Sequence, residues 1–168
     1  MNQFQKVISQ VELFIRKYYK NKILKGIILF LGLFLSSYIL VSGLEYLGRF
    51  GKSTRLFLLI TFIGLNLILL FRFIIIPLLN LNKLGKRLSM MEASDMIGKI
   101  FPDIGDKLKN TLQLNNDKGD VSNNLELVNA SIEQRAQKLS VVSFEGAIDL
   151  SENKKYIKYL LPVLLLGA

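Results

Sequence analysis

KGIILFLGLFLSSYILVSGL (Lys25–Leu44) and LFLLITFIGLNLILLFRFIIIPLL (Leu56–Leu79) are two oily runs separated by eleven residues. A helix rises about 1.5 Å per residue, so roughly 20 apolar residues cross the ~30 Å hydrocarbon layer of a bilayer. Both runs reach that length, and Arg or Lys gathers at their ends. Working outward from them, the predicted fold class is an all-α membrane protein. It has an N-terminal amphipathic helix, a transmembrane helical hairpin, a small cytoplasmic helical module and the start of a third transmembrane helix. The corresponding boundaries are 1–22, 23–79 (spans about 25–44 and 56–79), 80–155 and 156–168.

The 168 residues are 51% hydrophobic with a mean hydropathy of +0.36, and the apolar excess is concentrated in the runs. Histidine and cysteine are both absent. This excludes Cys/His zinc sites, disulfides, Cys nucleophiles and His-dependent acid–base schemes. No metal and no cofactor is expected. The net charge of +9 is unevenly placed: residues 80–155 carry eleven basic and eleven acidic side chains, which cancel. The excess lies in the first 79 residues and Lys158, where eleven basic side chains face only Glu12 and Glu45. Charge that follows membrane boundaries is a topology and anionic-lipid signal. A nucleic-acid-binding domain places it on one soluble face, so nucleic acid is not an expected partner.

Phe4, Val7, Ile8, Val11, Ile15 and Tyr18 recur at helical spacing beside Lys6, Arg16, Lys17, Lys20 and Lys22. Two accounts fit this amphipathic stripe: a helix lying on an anionic membrane surface, or an extension of the first span packed on the domain that follows. Arg16, Lys17, Lys20, Lys22, Lys25, Lys83, Lys86 and Arg87 are the expected membrane-surface cations. Six basic residues precede the first span, three lie in the Glu45–Arg55 turn, and Lys83, Lys86 and Arg87 follow the second. That distribution places the N-terminus and both hairpin ends in the cytoplasm.

Within the spans, Asn66 lies near the depth of Ser36 and Ser37 in the antiparallel partner. An interhelical hydrogen bond is the plain account of these polar residues, and a substrate contact is the functional one. Arg72 lies about 7 Å below the midpoint of its span. It either snorkels to the headgroups or pairs with an acid outside the hairpin. Past the membrane, Ser89 and Glu92 have capping-box spacing ahead of Met96, Ile97 and Ile100. A second helix from Asp103 to about Leu114 presents Ile104, Leu108 and Leu112. A loop follows at 115–120, and a third helix near Ser122–Leu139 presents Leu125, Val128, Ile132, Ala136 and Leu139. Three short helices make a marginal core that needs a further surface to lean on. Asp103, Asp106 and Lys107 cluster near a helix start. Helix-terminus electrostatics accounts for them, with partner docking as the functional reading. Tyr156 onward reads as about half of a third span, which suggests the front of a longer protein, with a re-entrant tail as the competing account.

Several stretches resemble a family: Phe-Ile-Arg-Lys-Tyr-Tyr-Lys (14–20), Leu-Glu-Tyr-Leu-Gly (44–48), Arg-Phe-Ile-Ile-Ile-Pro-Leu-Leu (72–79), Leu-Gly-Lys-Arg-Leu-Ser (84–89), the run from Ile97 to Leu114 that contains Phe-Pro-Asp-Ile-Gly-Asp-Lys-Leu, and Ala-Ser-Ile-Glu-Gln-Arg-Ala (130–136). In this order they resemble the N-terminal region of large uncharacterised inner-membrane proteins of Bacteroidetes-type bacteria. Related proteins are encoded near MoxR-type AAA ATPases and von Willebrand factor A-domain membrane proteins. The resemblance implies a cytoplasmic module between the second and third spans and a bacterial inner-membrane location. A AAA ATPase is the partner it implies, and it carries over no catalytic residue.

Enzymatic motifs are missing. Gly48-Arg-Phe-Gly-Lys-Ser53 contains Gly-Lys-Ser without the first glycine of a phosphate loop at the required spacing, and it sits between membrane helices. There is no Gly-x-Ser-x-Gly elbow and no paired-carboxylate scaffold. The leading expectation is a non-enzymatic membrane anchor and assembly module that docks a cytosolic partner through residues 89–139. The alternative is a subunit of a transporter or channel, with Asn66 and Arg72 at a helix interface.

Overall fold

A computed structural model describes residues 2–82, 84–85, 88–116, 125–158 and 160. The described residues are helical with short connections and no strand. The order is α1 (Gln3–Gly48), α2 (Lys52–Leu70), a π-helical turn (Phe71–Ile75), α3 (Ile76–Leu81), α4 (Met90–Ile100), α5 (Pro102–Asn116) and α6 (Leu125–Leu139). Two 3₁₀ turns follow, Phe144–Ala147 and Leu150–Asn153. Contacts divide the chain into two compact units, Met1–Tyr18 with Arg87–Asp149 and Tyr19–Lys86 with Leu150–Ala168.

In the first unit the amphipathic stripe supplies core. Val7, Val11, Phe14 and Ile15 are fully buried together with Ala93, Ile97, Leu108, Ile132, Ala136 and Phe144. Polar ties fix the start of α1 along α6 and the turn after it. The Gln3 N–H donates to Glu133 Oε1 at 2.5 Å, Gln10 Nε2 to the Ser140 carbonyl at 3.1 Å, and Lys17 Nζ to the Glu145 carbonyl at 2.8 Å. The expected separate interfacial helix at 1–22 is therefore corrected. Gln3–Gly48 is one helix of 46 residues, with its apolar stripe covered by protein. The physical reason is plain: no glycine or proline interrupts residues 3–25, and a three-helix module needs that apolar surface.

α4 begins where the capping box predicts. Ser89 Oγ accepts from the Glu92 N–H at 3.1 Å, and Glu92 Oε2 accepts from the Ser89 N–H at 2.8 Å. Phe101-Pro102 ends α4 and opens α5, because proline is tolerated at a helix start and not in its interior. The two helices cross at a pair of glycines. A Cβ on Gly98 would lie 2.9 Å from the Gly105 Cα, closer than packed atoms allow. α5 runs on to Asn116, two residues past the predicted helix end at Leu114. The rest of the predicted loop, 117–120, and the predicted start of the third helix, 122–124, lie outside the described residues.

The second unit holds the hairpin. The helices Gln3–Gly48 and Lys52–Leu81 are long and apolar enough to cross a membrane. The predicted eleven-residue turn contracts to Arg49–Gly51. Arg49 takes the left-handed conformation there, with φ 41°, and Glu45 and Arg55 pair across the turn at 3.1 Å. Proline and glycine set the contact at the other end of the hairpin. Pro77 has no N–H to give the Phe73 carbonyl one helical turn earlier. That carbonyl instead packs onto Gly26, where a Cβ would overlap its oxygen. The π-helical turn sits immediately before this point, with the Ile76 N–H donating to the Phe71 carbonyl. Helices with a small residue at the crossing approach closely enough for backbone-to-backbone contact.

Candidate functional site

The hairpin reverses the burial pattern of a water-soluble core. In α2 the one buried residue is polar, Asn66, while Phe57 and Ile68 are 68% and 70% exposed. Asn66 Nδ2 donates to the Phe62 carbonyl at 2.8 Å and to Ser37 Oγ at 3.3 Å, beside the tilted ring pair Phe34–Phe62 at 5.6 Å between centroids. The Asn66 Oδ1 atom is buried without a hydrogen-bond partner.

Ser36 does not join this interhelical contact. Ser36 Oγ donates to the Gly32 carbonyl of its own helix at 2.8 Å, because a serine one turn along can satisfy itself locally. Arg72 lies exposed in the π-helical turn, and among the described residues it has no carboxylate partner.

The predicted surface cations separate in the same way. Lys17 is bound to the Glu145 carbonyl within its unit. Lys25 lies 4.5 Å from the Tyr156 ring centroid, a cation–π contact. Arg16, Lys20 and Lys22 are exposed, and Lys83, Lys86 and Arg87 lie outside the described residues. Asn21 and Asn153 also meet, with Asn153 Nδ2 donating at 2.5 Å. These local partners depend on which side chains the 3₁₀ turn and the helical residues after it bring to α1, which periodicity along one helix does not disclose.

The proposed docking triad is split between two faces of α5. Asp106 lines a concavity of about 320 Å³ over the glycine crossing, with Ser94, Asp95, Lys99 and Lys109 around it. Lys109 bridges α5 to Asp95 of α4 at 2.8 Å. Lys107 faces the other way. It lines a second concavity of about 260 Å³ with Asn110, Arg135 and Lys138. Asp103 stays exposed in the first turn of α5, where a carboxylate suits the helix N-terminus. Successive helical residues point about 100° apart, so the adjacent Asp106 and Lys107 diverge enough to line different concavities, one beside α4 and one beside α6. Sequence reading missed the α5–α6 cluster. Its only advance signal was the i, i+3 spacing of Arg135 and Lys138.

No protein-family model, curated protein or solved structure matches the chain.

Proposed function

We propose that the chain is a non-enzymatic anchor and assembly module of a bacterial inner membrane. In this reading α1 from about Lys25, together with α2–α3, forms a transmembrane hairpin. The N-terminus and residues 89–139 lie in the cytoplasm, and the α4–α5 surface docks a cytosolic protein. A MoxR-type AAA ATPase is the partner implied by the family resemblance.

The observation that carries the reading is the reversed burial of the hairpin. Large apolar side chains face outward along both helices while Asn66 is enclosed. Lipid solvates such a surface and water does not, because a membrane helix keeps its backbone satisfied internally and turns polar side chains toward its neighbour. The docking assignment is supported by the mixed-charge surface of Asp95, Lys99, Asp106 and Lys109 around a glycine crossing that leaves the backbone near the surface.

Photo-cross-linking from position 99 or 106 in living cells tests it. The expected result is one dominant cytosolic adduct. A clean monomer, without adduct in cells or co-purifying protein in mild detergent, sinks the docking assignment.

The alternative, a transporter or channel subunit, draws on the exposed Arg72 in the π-helical turn, since such turns recur at functional positions.

A further inference from the structure

Lys107 and Asn110 on α5 and Arg135 and Lys138 on α6 line one concavity of about 260 Å³. Three cations in one place repel each other, and no described carboxylate neutralises them. Among the described residues neither lysine nor the arginine pairs with a carboxylate. The nearby acids among the described residues are turned elsewhere or stay apart. Glu133 of α6 accepts from the Gln3 N–H, Asp106 lines the separate concavity between α4 and α5, and Asp95 holds Lys109. Asp103, one turn before Lys107 and exposed, forms no ion pair with it.

The core beneath explains why these side chains converge. Leu108, Leu112, Ile132, Ala136 and Leu139 are buried, so the residues flanking that seam on each helix stand side by side above it. A guanidinium offers a planar fork, ammonium groups add point charge, and the Asn110 amide adds a neutral donor. That combination suits an oxyanion of tetrahedral phosphorus, which can accept several hydrogen bonds at once.

We propose that this α5–α6 concavity is a phosphate-binding site, taking a phosphate group either of a soluble phosphoanion or of an anionic phospholipid headgroup. The site goes beyond the anchor reading and does not depend on it. It is tested on the purified full chain without any partner protein, so loss of one proposal leaves the other standing.

Inorganic pyrophosphate is titrated calorimetrically into the protein in non-ionic detergent. Phosphatidylglycerol adducts are counted by native mass spectrometry after exchange through mixed micelles. Lys107→Gln, Arg135→Gln and Lys138→Gln are compared singly and together, with Lys6→Gln as the charge-matched control and circular dichroism as the folding check. All four site residues are exposed, so the variants retain the buried seam. Each single site substitution is expected to weaken binding by about tenfold, the loss of one charge-assisted hydrogen bond, and the triple variant to abolish it. Arg135→Lys is expected to recover part of the loss, and added salt to weaken binding throughout. Pyrophosphate binding that the triple variant removes identifies a soluble phosphoanion. Phosphatidylglycerol adducts removed by the triple variant, with no pyrophosphate binding, identify a headgroup. Binding of neither probe, or binding that the triple variant and Lys6→Gln affect equally, overturns the site.

Discussion

Two glycines hold positions that no other residue fills. At Gly26 a methyl group would overlap the Phe73 carbonyl, which Pro77 leaves without its usual donor. Both obstacles are backbone, so no side-chain rotation relieves them. Gly26→Ala is expected to push the two hairpin helices apart and lengthen the contact from Asn66 to Ser37. The chain has no cysteine, so a Phe34→Cys/Phe62→Cys pair reports the spacing cleanly. Its disulfide yield is expected to fall several-fold in the Gly26→Ala background, and an unchanged yield refutes the close approach. At Gly105 two effects oppose each other. Alanine raises helix propensity by about 1 kcal/mol, whereas forcing a methyl onto the Gly98 backbone costs about 1–3 kcal/mol. The clash wins because Cα meets Cβ directly. Thermal unfolding of Gly105→Ala is therefore expected below wild type, and a rise in midpoint would contradict the crossing.

At the scale of elements, the hydropathy runs located both long helices, and the Ser89–Glu92 box located the start of α4 because capping is local chemistry. Less was legible where tertiary contact decides. The stripe from Phe4 to Tyr18 was visible as a stripe, but periodicity alone does not say whether lipid or protein covers it. Burial of Val7, Val11, Phe14 and Ile15 beside α6 answers that, and it supplies the surface the three short helices lacked. The π-helical turn had no sequence signal beyond Pro77 nearby. The split of Asp103, Asp106 and Lys107 between faces depends on how α4 and α6 flank α5, a property of packing. If the stripe is core, Phe14→Ala opens a cavity and costs the first unit about 3–5 kcal/mol. Hydrogen exchange of the α6 amides is expected to accelerate accordingly. Protection equal to wild type would return the stripe to the membrane surface.

For the whole molecule the deciding quantity is where its apolar surface is satisfied. Soluble monomers rarely expose a contiguous apolar patch beyond a few hundred Å², yet Leu56, Phe57, Leu59, Ile60, Leu67 and Ile68 all stand more than half exposed on one helix. A buried helix of a soluble core has the same composition but is covered by its neighbours, and α2 is not. Lipid covers this surface, a partner does, or the chain aggregates in water, and these outcomes separate experimentally. After cell lysis without detergent, the protein is expected in the membrane pellet and to stay there through an alkaline carbonate wash. A mild non-ionic detergent is then expected to release it as a monodisperse helical species. Replacing Leu59, Ile63 and Leu67 with lysine raises the cost of insertion by about 2.5–3.5 kcal/mol per central charge, so the variant is expected to leave the membrane fraction or be degraded. Recovery of the wild-type chain as a soluble, monodisperse protein without detergent would mean that some partner, not a bilayer, covers the hairpin.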